Sequence, residues 1–139
     1  MATAVKFQNL TNDLLIARTI NLNTDTFGLL FTNTVPVNTQ HVYPTNFVNE
    51  LANGNGYPTG GLALPGASAT WAAGVVSLTI PSVNLTATGG SLGPWRYYAL
   101  YDITSGTLMF YWDYGQSTTL TIGQSVPFSW VNNVALTDT

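Results

Sequence analysis

Cysteine is absent, histidine occurs once at position 41, and three basic and six acidic residues are the only formal charges in 139 positions. Without cysteine there is no disulfide framework, thiolate metal site or thiol nucleophile. One histidine excludes a multi-histidine metal centre, and His41 within a Pro/Asn-rich loop reads as an ordinary polar side chain. Lys6, Arg18 and Arg96 are too few to form the basic footprint that phosphate contacts need, so nucleic-acid binding is disfavoured. No segment approaches 18 consecutive apolar residues, and MATAVKFQNL lacks the apolar stretch of a secretory leader. The expectation is a soluble intracellular product with no membrane segment. Charged residues make up 6% of the chain against a usual level of about 25%, the balance being Thr, Asn, Ser and Gly. A net charge of −3 gives weak repulsion between copies. Such a surface suits a protein held against partners or other copies of itself.

What is present in abundance is aromatic side chains, above all in WRYYALYDITSGTLMFYWDYG from Trp95 to Gly115. Two aromatic runs around Ile103-Thr104-Ser105-Gly106 spell a β-hairpin. That loop sets Asp102 opposite Thr107. A continuous register then opposes Tyr101 with Leu108, Leu100 with Met109, Ala99 with Phe110 and Tyr98 with Tyr111. Further from the turn it opposes Tyr97 with Trp112, Arg96 with Asp113 and Trp95 with Tyr114. Directly opposed charges or aromatics contribute roughly 0.2–1 kcal/mol each, so Arg96 and Asp113 are expected to form a structural ion pair. Both hairpin faces are apolar, which requires cover on both sides, from the fold itself or from a neighbouring subunit.

The rest of the chain also reads as one β-rich domain over 1–139. Asn12-Asp13 before Leu14–Ala17 predicts a short N-terminal helix. Thr26–Phe31 reads as a buried strand. From Thr32 to Gly66, four prolines and several glycines predict a long irregular loop, read either as an interaction arm or as short edge strands and turns wrapping the sandwich. Alternation predicts strands from Val75 to Ile80 and, beyond Pro81, from Val83 to Ala87. Gly89–Pro94 reads as a linker, Thr118–Ile122 and Val126–Trp130 as closing strands, and 132–139 as a loose tail. Short alternating strands separated by turn signals predict an all-β fold, an antiparallel sandwich of jelly-roll type.

Motifs for chemistry are sparse. No serine lies in a G-x-S-x-G elbow, and Gly54, Gly56, Gly60 and Gly61 fit no phosphate-loop spacing. Asp102 and Asp113 fall at opposite ends of the hairpin, too far apart for a glycosidase pair. No catalytic residue, metal ligand or cofactor site is expected.

The order of segments resembles a group of small virion proteins of tailed bacteriophages. The resemblance rests on Ile20–Phe31, on Glu50-Leu51, and on Gly54-Asn55-Gly56-Tyr57-Pro58-Thr59-Gly60-Gly61, similar to that group's G-x-G-Y-x-x-G-G. It continues with Arg96–Asp102, Gly106, Asp113-Tyr114-Gly115 and Phe128-Ser129-Trp130. It implies a non-enzymatic structural protein, a decoration or cement protein on the capsid exterior, made in the host cytoplasm. Its partners would be the major capsid protein and copies of itself, in a homo-oligomer. Tyr43, Phe47, Asn53 and Tyr57 in the loop, with Tyr98 and Tyr111 on one hairpin face, are the candidate contact residues. The alternative is a receptor- or carbohydrate-binding module of a tail or collar fibre, stacking sugars on aromatics such as Trp95 and Trp112.

Overall fold

A computed structural model describes residues 4–10, 17, 19–73, 75–130 and 134–138. The fold is all-β and antiparallel, and sandwich-like in its layering. Its strands are β1 (Val5–Lys6), β2 (Phe27–Thr32), β3 (Leu62–Ala63), β4 (Ser68–Ala72) and β5 (Val75–Thr79). They continue with β6 (Val83–Thr86), β7 (Leu92–Asp102), β8 (Thr107–Leu120), β9 (Ser125–Phe128) and β10 (Val134–Asp138). Three sheets result, ordered β1-β8-β7-β2-β3, β10-β5-β4 and β6-β9. These pairings establish the antiparallel layers without tracing a jelly-roll winding. The expected N-terminal helix at 12–17 lies outside the described residues but for its last position.

The inner face of the large sheet meets the two small sheets over one apolar core. Phe27, Leu29 and Phe31 of β2, Trp95, Tyr98 and Leu100 of β7, and Phe110 and Trp112 of β8 pack with Leu78, Leu85 and Phe128. Phe31 sits at the centre, its ring centroid 5.1 Å from those of Trp95 and Phe128, 5.9 Å from Tyr57 and 6.2 Å from Tyr98. Such aromatic contacts are worth about 0.5–1.5 kcal/mol beyond the area they bury. β2 is buried at every residue, as a central strand covered on both faces must be. Gly28 makes room within it: a Cβ there would lie 2.7 Å from Cε1 of Tyr101, the residue directly opposite on β7.

The hairpin forms, with a corrected register. Asp102 opposes Thr107 and Tyr101 opposes Leu108, as the turn dictates. A bulge then intervenes, and Leu100 pairs with Phe110, Ala99 with Tyr111, Tyr98 with Trp112 and Tyr97 with Asp113. Met109 is the extra residue, fully buried, and its displaced carbonyl accepts the N–H of Phe7 at 3.0 Å. The one-residue shift turns Phe110 and Trp112 into the inner core and Tyr111 outward. Tyr98 therefore stacks on Trp112, with centroids 5.2 Å apart and planes 14° off parallel. Sequence alternation cannot register a bulge, because both strands keep their own period on either side of it.

Other differences have equally local causes. β4, Ser-Ala-Thr-Trp-Ala, carries little apolar alternation and is recruited by pairing with β5 through a turn at Ala73. The Gly89–Pro94 linker is already strand from Leu92, and Thr118–Leu120 is the far end of the 14-residue β8, not a separate strand. β9 pairs with β6. The tail expected to be loose forms β10, antiparallel to β5.

Phe31→Ala is expected to lower unfolding free energy by about 3–5 kcal/mol, the usual result of emptying a buried aromatic site. Urea unfolding checks this, and a loss below about 1 kcal/mol contradicts the central position given to Phe31.

Candidate functional site

The outer face of the large sheet is covered by the chain's own N-terminal segment and by the long loop. Phe7 and Phe47 pack with Leu30, Ala99, Tyr101 and Leu108, flanked by Tyr43 and Tyr111. Backbone bonds hold this cover in place: Leu108 N–H donates to His41 O at 2.7 Å, Tyr43 N–H to Gly106 O at 2.8 Å, and Leu51 N–H to Phe31 O at 2.8 Å. The loop thus wraps the domain, and the second apolar hairpin face is met from within the chain.

Glu50 fastens the wrap. Its Oε2 accepts from Tyr43 OH at 2.8 Å, and its Oε1 accepts from Tyr57 OH at 2.8 Å and Gly60 N–H at 2.9 Å. Tyr101 OH donates to the carbonyl of Gly60, and its ring lies 4.8 Å from that of Tyr43. Burial, then the adjacent carboxylate, pushes both phenols on Glu50 well above the ordinary tyrosine range, so they remain donors. The chain's only glutamate therefore ties three stretches of loop to the sheet. In the sequence Glu50 entered only as part of a resemblance and was given no role; a lone glutamate among tyrosines in a nearly uncharged chain was the available signal.

The six candidate contact residues divide accordingly. Phe47, Tyr57 and Tyr98 are buried in the protein's own interior, and Tyr43 and Tyr111 are half-buried. Tyr111 meets Phe7 edge-on at 5.8 Å and Tyr97 at 6.4 Å. Asn53 alone is exposed, its side-chain oxygen accepting from Thr59 N–H at 3.1 Å. Tyr43, Phe47 and Tyr57 are thus loop anchors turned toward the domain, because a loop lying on an apolar sheet gains most by burying its largest side chains. Tyr98 lies in the core, and Tyr111 packs under the N-terminal segment on the outer face.

What the loop shows to solvent is valine. Val35, Val37, Val42 and Val48 are each about half exposed, at 53, 50, 45 and 55%. Scattered apolar residues on a surface are ordinary, but four of the seven large apolar side chains exposed among the described residues fall within fourteen positions of this loop. Val35-Pro36-Val37 was the sequence signal for it: apolar β-branched residues where no strand can propagate.

The two hairpin aspartates are both structural and unlike. Asp113 and Arg96 form the expected pair, Nε to Oδ1 at 2.8 Å and an Nη to Oδ2 at 2.9 Å, half exposed. Gly115 N–H also donates to Oδ1, at 2.8 Å. Arg96 and then Gly115 hold the Asp113 carboxyl below the ordinary range. Asp102 is fully buried and organises the turn, accepting from Thr104 N–H at 2.9 Å and Ser105 Oγ at 2.7 Å. Burial, with Asp25 facing it, raises Asp102 to about 6, against the pull of those two donors. Among the described residues, no group of three or more His, Asp or Glu side chains could hold a metal ion. No helix there is long and apolar enough to cross a membrane. No protein-family model, characterised protein or solved structure matches the chain.

Tyr57→Phe, which removes the buried phenol from Glu50, is expected to cost about 1–3 kcal/mol and to expose the loop to limited proteolysis between residues 35 and 60. An unchanged cleavage pattern contradicts the fastening role. The raised Asp102 carboxyl has a definite sign: between about pH 4 and 6 the folded chain holds a proton that the unfolded chain has released, so this group lowers stability as pH rises. Asp102→Asn removes that dependence, and urea midpoints from pH 4 to 7 should fall less steeply than in the unsubstituted protein. Parallel slopes contradict it.

Proposed function

We propose that this protein is a structural component of a bacteriophage virion, a decoration or cement protein seated on the capsid exterior. The observation that carries this reading is the loop with four exposed valines, tied by Glu50 and by backbone bonds to a nearly uncharged domain. The resemblance of the ordered segments from Ile20 to Trp130 to small tailed-phage virion proteins supports it. Weak charge lets many copies crowd one lattice without mutual repulsion. Pre-anchoring by Glu50, Phe47 and Tyr57 spares the loop the ordering cost that a flexible arm meets on binding. The partners are the major capsid protein and neighbouring copies of the same chain, and the role is mechanical, not catalytic.

The clean test acts on the loop's outer surface. Deleting 45–61 would also withdraw Phe47, Glu50, Leu51 and Tyr57 from the interior, confusing loss of contact with loss of fold. Replacing Val35, Val37, Val42 and Val48 together by Ser leaves those anchors intact. At about 1 kcal/mol for each half-exposed valine covered at a contact, capsid affinity should fall at least about a hundredfold. The melting temperature should be nearly unchanged. Undiminished occupancy of particles by the folded variant defeats the assignment. Stoichiometry checks the position: a decoration protein scales in copy number with the major capsid protein, whereas a collar or fibre protein does not.

A further inference from the structure

The far end of the hairpin carries a second irregularity, and it builds a cleft. Between the pairs Tyr97–Asp113 and Trp95–Thr118, β8 uses three more residues than β7. Gly115 accommodates the bulge at φ 99°, and Asp113 closes it by accepting the Gly115 N–H. Bulges of this kind bend a strand and re-aim a side chain. Here Tyr114 is swung to the rim, 40% exposed, its ring 4.8 Å from the buried ring of Trp95 and 6.4 Å from that of Phe128. The result is a cleft of about 430 Å³ with Tyr98, Phe128 and Trp130 contributing to its walls and Asp113, Tyr114 and Ser129 more exposed around it. Its volume lies within the range of small-molecule sites, about 300–1,000 Å³.

The lining has a definite chemistry. Aromatic carbon supplies flat apolar surface. The Asp113 carboxylate, half exposed, retains acceptor capacity beyond its bonds to Arg96 and Gly115. Arg96 stands beside the cleft and not in its lining, with two of its five N–H donors on Asp113, and Ser129 adds an exposed hydroxyl to the lining. The ion pair is bidentate and neutral in sum, so Asp113, the member of it that lines the cleft, brings acceptor oxygens there with its charge offset by Arg96 alongside. A free anion finds Arg96 already neutralised, and a cation finds Asp113 already paired. A sugar ring fits both halves, with an apolar C–H face for the tyrosine and vicinal hydroxyls that each donate and accept.

We propose that this cleft binds a neutral saccharide, a hexose or N-acetylhexosamine unit of a longer glycan, stacked on Tyr114 and hydrogen-bonded to Asp113. Trp95 and Trp112, the tryptophans that sequence reading offered for stacking, are buried at 0 and 2% exposure and support the wall from behind. The cleft lining shares no residue with the valine set, so either assignment holds or fails without the other.

The full chain should be applied to an array of neutral hexose and N-acetylhexosamine oligosaccharides printed beside sialylated and uronic-acid ones. Hits are then titrated by tryptophan emission, which Trp130 and Trp95 should report. Binding to neutral glycans is expected, at least tenfold weaker in Tyr114→Ala and in Asp113→Asn, with unchanged far-ultraviolet circular dichroism. Should Asp113→Asn disturb the bulge, Ser129→Phe fills the cleft from its exposed side and must abolish binding in a folded protein. Failure to bind any neutral glycan, preference for the acidic ones, or binding that survives both Tyr114→Ala and Ser129→Phe overturns the proposal.

Discussion

Everything in this fold answers one constraint: the central strands β2, β7 and β8 are apolar on both faces, and both faces must be kept from water. One face is met by the small sheets, with Phe31 among Trp95, Tyr98 and Phe128. The other is met by irregular chain, with Phe7, Tyr43 and Phe47 laid over Leu30, Tyr101 and Leu108. A long loop without strands of its own is normally an expense to a compact domain. This one, which contributes only the two-residue edge strand β3, is structural, because it supplies the layer that a further sheet would otherwise have to provide.

That solution transfers function to positions the aromatic residues do not occupy. Once tyrosine and phenylalanine are committed to anchoring, the loop's solvent side is left to small β-branched residues, and its proposed contact surface is the valine set. The same division governs the hairpin. Its large rings are consumed by the core except beside the bulge at Asp113–Gly115, where Tyr114 stays at the rim of the core against Trp95 and Phe128, and the cleft arises there. Both proposed surfaces are by-products of how a sheet with two apolar faces is closed.

Electrostatics plays a small part in holding the molecule together and a large part in setting its details. Glu50 is useful because two phenols and a backbone N–H converge on it, fixing loop to sheet. Asp102 organises the Ile103–Gly106 turn at the cost of a buried, protonation-prone carboxyl beside Asp25. Asp113 works oppositely, exposed and held ionised by Arg96, so one hairpin carries two aspartates with pKa values driven apart by environment.

The amino-acid sequence by itself determined the β class, the turn that sets Asp102 against Thr107 and the two-sided apolar hairpin, and it named Arg96 and Asp113 as partners, though Tyr97 and not Arg96 is directly opposite Asp113. All of these follow from local alternation and turn chemistry, which act over a few residues. It did not determine the bulge at Met109, which reassigned Phe110, Trp112 and Tyr111 to new faces. Nor did it determine the pairing of β10 with β5, or the destination of Phe47 and Tyr57. Those were decided by the tertiary structure, because a bulge or an edge strand forms where a distant surface has room for its side chains. No local pattern encodes that space, and Trp95–Gly115 reads the same whether its second face meets a neighbouring subunit or, as here, its own loop.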